Sequence, residues 1–599
     1  MATDHAPNRP ETTKRQLKAL AGKPIQWFTR TRLLLLGQEE LTGLVFWAAL
    51  TGFAGALASV LFREGIRLFE RLLTGESGGL VQAASELHGW HRVAAPMMGG
   101  LSAGLVLHFG ARFLDARRSV DYMEAVVVGD GAIAARPTLL RSLSSLFTIG
   151  SGGSIGREGP MVQLAALLGS KIGLLSRAPV PRRRLLVACG AAAGIAAAYN
   201  APIAGALFVA EIVLGSIAME SFGPILVASV TANVTIHRFL GYGPVFAIPP
   251  LQFGANWELV TYGLLGVLLG HLAPPFLALL EWTKARFAVL PIPVYLRLAL
   301  GGLVVGLVSL WFPQVWGNGY SVIGTILTGQ LAGSLLLMLF VAKVFSTAAT
   351  VGSGAVGGIF TPTLFIGAAV GALANALVHL VLPAAAASTP GAYALVGMGG
   401  LLAATTHAPL MSILMVFEMT LDYDVVLPLM LACVTAHYTA KVYRSGRSVY
   451  HDALQPEGDA AAAAWRLRTI DALVKPAPAV VAAEATVREM LDRLPRRAVQ
   501  SVYVVDESNQ LLAALDPREV MERIKSGRIH PDDRVGGLQG AIPFVLTPGM
   551  SLATALDGFL REQVKVLPVA AGQWHMTLLG EVSRHDLLLA VQERISGKG

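Results

Sequence analysis

Eleven residues, Gly150-Ser-Gly-Gly-Ser-Ile-Gly-Arg-Glu-Gly-Pro160, break into sequence that is apolar on both sides. Five of them are glycine. Backbone without Cβ atoms can bring its N–H groups close to a ligand. The stretch runs into Met161-Val-Gln-Leu-Ala-Ala-Leu-Leu-Gly-Ser170, which reads as a helix. A helix that starts inside a membrane points unpaired N–H groups and a partial positive charge at whatever precedes it. Such an end holds an anion without a cationic side chain. Glu158 stands at this mouth, and its carboxylate is able to occupy the anion site itself.

The feature occurs twice. Gly352-Ser-Gly-Ala-Val-Gly-Gly-Ile-Phe-Thr-Pro362 repeats the Gly-Ser-Gly opening, the glycine at the seventh place and the closing proline. Downstream, Gly190-Ala-Ala-Ala-Gly-Ile-Ala-Ala-Ala-Tyr-Asn-Ala-Pro202 pairs with Gly397-Met-Gly-Gly-Leu-Leu-Ala-Ala-Thr-Thr-His-Ala-Pro409. Glu211 and Glu418 each follow the proline of their own Ala-Pro pair by nine residues. Two halves with glycine-rich breaks at matching places are the sequence sign of a membrane transport protein built from internal repeats. If the halves are inverted, each crosses an odd number of times, and both termini share a side.

Composition agrees. The 599 residues are 54% hydrophobic and only 14% charged, against about 25% charged in soluble domains. The chain therefore reads as a multi-pass protein of the inner or plasma membrane with some soluble sequence attached. The net charge of +8 reads as orientation rather than nucleic-acid binding. Basic residues cluster at Lys14 to Arg32 and at Arg182-Arg-Arg184, beside apolar segments, and the positive-inside rule puts these stretches, and both termini, in the cytoplasm. Cys189 and Cys433 lie in apolar segments and offer neither a disulfide framework nor metal-ligand spacing. The first thirty residues are polar and basic, unlike a cleavable signal peptide. The expected organisation is a cytoplasmic arm over 1–34, a membrane domain over 35–455 in halves of about 35–240 and 241–455, and a linker over 456–468.

Charge rises and apolar runs shorten from about Arg444 onward. Val502-Tyr-Val-Val505 and Val566-Leu-Pro-Val569 read as buried strands, and Thr486 to Leu494 and Ser551 to Leu560 as amphipathic helices. Helix, strand, turn, strand, helix is given twice. The tail is thus a soluble α/β unit of two repeats, over 469–530 and 531–595.

Some pattern matches lead elsewhere. Gly152-Gly-Ser-Ile-Gly156 fits the G-x-S-x-G of a hydrolase elbow, but no strand-turn-helix of an α/β chain surrounds Ser154. Gly352 to Gly357 fits G-x-G-x-x-G without a soluble βαβ unit. No catalytic residue and no metal site is assigned, and an intramembrane serine hydrolase is kept as a distant alternative to a transporter. Glu158 is either a capping carboxylate, a partner of Arg157 or an ion-path group; at membrane depth the last is favoured.

Gly156-Arg-Glu-Gly-Pro160, Gly358-Ile-Phe-Thr-Pro362 and Asn200-Ala-Pro-Ile-Ala-Gly205 resemble the signature motifs of the CLC family of chloride channels and chloride/proton exchangers. The resemblance covers about residues 35–455. It implies an all-α polytopic membrane fold of two inverted repeats of full and half helices, and a homodimer with one pore per subunit for chloride or a similar small anion. Glu158 would be the gating glutamate. Backbone near Gly156, Arg157 and Glu158 and that of Ile359 and Phe360 would line the anion sites, and Tyr450 would offer its hydroxyl to the central one. The tail resembles a pair of CBS domains. In Gly580-Glu-Val-Ser583-Arg-His-Asp586, Ser583 and Asp586 would hold an adenine nucleotide, the one cofactor implied; the first repeat offers only Asp516-Pro-Arg-Glu519.

Two places depart from the family pattern. Its Gly-Ser-Gly-Ile-Pro motif gives way to Ala116-Arg-Arg-Ser-Val120, where Ser119 is the hydroxyl on offer. Exchangers of the family commonly carry two successive glutamates where this chain has Glu211-Ile212. Isoleucine cannot carry a proton, and channels of the family are apolar at this place. The expected function is accordingly a gated chloride channel, with proton-coupled chloride antiport as the alternative.

Overall fold

In hydrocarbon every backbone polar group must find an internal partner, so apolar spanning sequence becomes helix. The structure, a computed structural model, describes residues 23–75, 79–113, 121–127, 129–215, 217–241, 243–246, 257–331, 333–381, 389–443, 469–494, 499–538, 540, 542–562, 564–572 and 576–595. The chain divides into two units, Met1–Leu454 and Gln455–Gly599.

The membrane unit is helical. Its first half holds α1 (Lys23–Thr74), α2 (Leu80–Glu86), α3 (Gly89–Phe113), α4 (Tyr122–Val127), α5 (Ala135–Gly150), α6 (Glu158–Leu175), α7 (Val180–Tyr199), α8 (Pro202–Phe208) and α9 (Met219–Leu240). The second holds α10 (Glu258–Val289), α11 (Val294–Ser309), α12 (Tyr320–Leu327), α13 (Gly333–Gly352), α14 (Phe360–Val381), α15 (Pro390–Thr406), α16 (Pro409–Thr420) and α17 (Val426–Val442). Among the described residues, six helices are long and apolar enough to cross a membrane. Others are shorter, as the glycine and proline breaks predict.

The breaks fall at equivalent places. The apolar run over 185–213 is cut at Asn200 and the run over 392–420 at His407; both residues are left-handed, with φ of 55° and 59°. Asparagine and histidine tolerate that conformation better than most residues, and the following Ala-Pro restarts a helix with proline at its first position, where the missing N–H costs nothing. α8 continues into a π-helical turn, Val209–Val213, that carries Glu211 and Ile212.

The two halves are joined reciprocally. Gly156 and Gly358, the seventh residues of the two glycine-rich loops, form an antiparallel bridge. Gly156 N–H donates to the Gly358 carbonyl at 2.7 Å, and Gly358 N–H to the Gly156 carbonyl at 2.9 Å. Farther out, Glu418 at the end of α16 accepts from the N–H groups of Ile203 (2.9 Å) and Ala204 (2.8 Å) at the start of α8. Glu211 accepts from Leu410 (3.3 Å) and Met411 (2.9 Å) at the start of α16. Each glutamate thus caps the opening turn of the other repeat's helix, where N–H groups have no intrahelical partner. Both carboxylates are engaged by backbone N–H groups.

The tail is α/β. β1 (Val480–Ala482) pairs parallel to β2 (Val502–Val505), which pairs antiparallel to β3 (Leu511–Leu515). β4 (Val566–Ala570) pairs antiparallel to β5 (Leu578–Ser583). Helices α18 (Val487–Asp492), α19 (Pro517–Lys525), α20 (Leu552–Glu562) and α21 (Arg584–Ile595) flank them. Thr486 and Glu489 start α18 with a reciprocal capping box. The expected boundary at 530/531 does not divide the two cores. Val535 packs with Val481, Val487 and Val502 in the first, whereas Ile470, from before the first strand, packs with Leu552, Phe559 and Leu567 in the second. Short bridges from Thr469 to Ser551 and from Lys475 to Glu581 fix this exchange. Each small core is completed by chain lying outside its own sequence repeat, which a linear reading of hydrophobic runs does not reveal.

Tyr503 of β2 is wholly buried, and its hydroxyl donates to Glu581 Oε2 at 3.0 Å. Burial pushes the Glu581 carboxyl above its usual range despite that hydrogen bond. A carboxyl raised on folding stabilises below its unfolded pKa and loses that contribution as pH rises through the folded value. The tail should therefore weaken as pH climbs from acid toward neutral, and Glu581→Gln should flatten the trend and raise the neutral-pH melting temperature by about 1–3 °C. Thermal melts of the native and variant chains across pH measure both effects.

Candidate anion site

Helix α6 begins at Glu158 itself, and helix α14 begins at Phe360. The glycine bridge brings these two starts together. The Glu158 side chain is 4% exposed and leaves its own helix for the other one. Its carboxylate accepts from the Thr361 N–H at 3.3 Å and the Thr361 hydroxyl at 3.3 Å. The N–H groups of Phe360 and of Glu158 also donate to it. A carboxylate therefore sits on the opening turn of α14, where the helix dipole and unpaired N–H groups favour negative charge.

Glycine is required on both sides of this seat. A Cβ at Gly156 would overlap both carboxylate oxygens of Glu158, and a Cβ at Gly358 would overlap Oε1 and the carbons behind it. In both cases the nearest atoms belong to Glu158 alone. The seventh-place glycine shared by the two loops thus makes the bridge and leaves room for the carboxylate.

Sequence placed the Gly156 N–H among the anion ligands. The structure gives it to the Gly358 carbonyl, so the donors that face the carboxylate are the Glu158, Phe360 and Thr361 N–H groups. Ile359 precedes that turn and is partly buried in the main core. The Arg157 guanidinium lies 5.5 Å from the centre of the Tyr320 ring. Ser119 and Tyr450 fall outside the described residues. Ile212 packs against the main hydrophobic core. Ser154 is wholly buried, and its hydroxyl meets that of Thr347 at 3.1 Å, a partner unable to act as a base.

Thr361 is absent from the residues that the sequence marks, although it lies one residue past Phe360 in a helix's first turn, where donors collect. Tyr199 supports it: the two hydroxyls are 3.2 Å apart. Nothing in the sequence marks Lys343 either. It is wholly buried in α13 and donates to the carbonyls of Val315 (3.0 Å) and Gly317 (2.8 Å), fastening the segment that leads into Tyr320.

In the tail, Ser583 and Asp586 meet. The Ser583 hydroxyl donates to Asp586 Oδ2 at 2.8 Å, and the Asp586 N–H donates back to Ser583 Oγ at 3.0 Å. Lys475 pairs with the same carboxylate oxygen at 2.8 Å. The hydrogen bond from Lys475, then that from Ser583, holds the Asp586 carboxyl below the usual carboxylate range.

Opposed helix starts around a carboxylate, joined across an inverted repeat, define a membrane protein that handles anions. A family model described as voltage gated chloride channel matches residues 98–441. A putative chloride channel protein ClcB-like of Ralstonia nicotianae is 53% identical over 416 residues, covering 69% of this chain and 96% of the relative. A voltage-gated ClC-type chloride channel ClcB of Escherichia coli is 41% identical over 397 residues, covering 65% and 93%. The chain belongs to the CLC family of chloride transport proteins. Among solved structures, a slow cyanobacterial Cl-/H+ antiporter is similar with a TM-score of 0.61 and 25% identity, over 69% of this chain and 97% of that one. A eukaryotic CLC transporter shares the fold at a TM-score of 0.60 and 18% identity, over 91% of this chain and 98% of that one.

Because the atoms nearest an added methyl at position 358 belong to the Glu158 side chain, Gly358→Ala should fold and expel the carboxylate from its seat. A structure of the variant is expected to show Glu158 off the Thr361 N–H, with a stability loss below about 2 kcal/mol.

Proposed function

We propose that the protein is a gated chloride channel in which the Glu158 carboxylate competes with the permeating anion for the start of α14. The seating of that carboxylate on the Phe360 and Thr361 N–H groups, between two glycines, carries the reading. An anion enters when the carboxylate leaves, and protonation removes the charge that holds it there. On this reading Arg157 and Ile359 lie at the edges of the site, and Ser119 and Tyr450 would supply hydroxyls on the inner side. The chain is a transporter and not an enzyme. The expected assembly is a homodimer with one pore per subunit and cytoplasmic termini. Strongly exposed apolar residues on the outward faces of α9 and α17, such as Met219, Val234, Leu427 and Tyr438, suit burial against a partner or lipid.

The tail is read as a regulatory CBS pair occupying 469–595. Ser583 and Asp586 would hold an adenine nucleotide there once Lys475 releases the aspartate.

Glu158→Gln tests the gate. An amide carries no charge and does not titrate, so chloride efflux from liposomes should lose the part of its pH dependence that the gate supplies, and the profile between about pH 4.5 and 7.5 should change. An unchanged profile would remove Glu158 from gating.

Proton-coupled antiport is the second reading, favoured by the cyanobacterial antiporter's similar fold. Against it stands Ile212, apolar and packed into the core, with Glu211 beside it spent on capping α16. An imposed chloride gradient is therefore expected to drive chloride without moving protons uphill. Vesicle pH followed with the voltage clamped by potassium and valinomycin decides this, and uphill proton movement at fixed stoichiometry would establish the exchanger.

A further inference from the structure

The two repeats differ where each restarts its helix. In the first, the left-handed residue is Asn200. Its Oδ1 lies 2.6 Å from His237 Nε2, and its Nδ2 donates to the Gly243 carbonyl at 2.9 Å. In the second, the equivalent residue is His407, and it faces His437 of α17. Their ring centroids are 5.6 Å apart with planes at 76°. His437 is 8% exposed. Among the described residues, the Nδ1 atoms of both rings are buried without a hydrogen-bond partner. The same place in the fold is satisfied in one half and left open in the other.

Its position follows from the helices. α7 runs for 20 residues, a length of about 30 Å, from Arg182–Arg184 to Asn200. α8 and its π-turn lead back to Glu211, whose carboxylate sits on Leu410 and Met411. His407 immediately precedes that helix start. The return from Pro202 to Glu211 covers about half the length of α7, which assigns the histidine pair to the half of the membrane unit that carries the arginines, and the positive-inside rule makes that side cytoplasmic.

We propose that His407 and His437 form a proton-binding site at this face, through which the pH of the adjoining solution regulates anion flux. The proposal rests on the anion-transport reading. A buried imidazole nitrogen without a partner is costly, and a proton shared by the pair, directly or through water, supplies one. Burial and Lys441 of α17, which lies within electrostatic reach of both rings, oppose the first proton, and a second is opposed by the first as well. The site thus switches between neutral and one positive charge. Other titratable groups near it are Glu211, which reaches Cys433 one turn before His437, and Tyr438, whose ring is 5.4 Å from His437. On the packed neighbour α10, His271 meets Tyr443. Glu418, and the pair Tyr262 and Tyr393, belong to the opposite ends of α16 and α15. A charge on the pair appears beside the start of α16 and raises the positive potential that draws anions to this face.

The test uses the full chain in planar bilayers, with chloride current recorded while the pH of one side at a time is taken from about 8 to about 5. Glu158→Gln is included to remove the gate's own titration. In that background, acidifying one face alone is expected to raise the current about threefold. Adding His407→Asn should abolish the rise, and His437→Asn should do the same. His407→Asn rebuilds the pairing that the first repeat already accommodates at Asn200, so folding is retained. The proposal is overturned if Glu158→Gln shows no one-sided dependence, or if the dependence survives both histidine substitutions. Glu158→Gln that keeps the wild-type profile on the opposite face would refute the gate and leave the histidine comparison decisive. Absence of chloride current from every form would overturn the transport reading and this site together.

Discussion

Two backbone hydrogen bonds, exchanged between Gly156 and Gly358, set the geometry of the membrane unit. They join loops that start helices in opposite halves of the chain, and they do so with residues that have no side chain to intrude. What remains between the loops is a space the size of a carboxylate, facing unpaired N–H groups. Glu158 fills it. The seat is thus made of backbone N–H groups and the Thr361 hydroxyl, and it holds a carboxylate by helix ends rather than by cationic side chains. Arg157 and Lys343 are nearby cations, but one lies against Tyr320 and the other is bound to carbonyl oxygens.

The cross-capping by Glu211 and Glu418 answers a cost that any broken membrane helix incurs. An unsatisfied N–H in hydrocarbon costs several kcal/mol. Each half helix of this pair begins with such groups, and water is not the partner they take. The repeat solves the problem by symmetry: the residue nine places after one proline reaches the helix that begins with the other. A charged residue conserved by the duplication at membrane depth is here a structural device, which tempers the expectation that such residues line a path.

Much of this was legible in the amino-acid order. The duplicated glycine loops, the Ala-Pro restarts and the matched glutamates are visible as spacing, and they locate the helix breaks; that Glu158 leaves its own helix for the start of α14 is not visible there. The identity of the donors was less legible. Gly156 looked like a ligand because it lies beside Glu158, but hydrogen-bond partners depend on which strand of backbone lies opposite, and only the fold brings Gly358 there. Thr361 was hidden for the same reason. In the tail, strands and helices followed from short-period patterns, whereas the exchange of Ile470 and Val535 between the two cores involves pairings across many residues that no local pattern encodes.

The reciprocal caps also bear on how the chain is made. During synthesis the first half enters the membrane before Glu418 exists, so the start of α8 lacks its acceptor until nearly the whole membrane unit has been translated. The first half is consequently an incomplete fold rather than a finished domain awaiting a partner. Until α16 arrives, the Ile203 and Ala204 N–H groups must be served by water, by the insertion machinery or by a partly unwound helix. Assembly of this transporter therefore closes late and all at once, and truncations within the second half should be recognised by quality control as failures of the first.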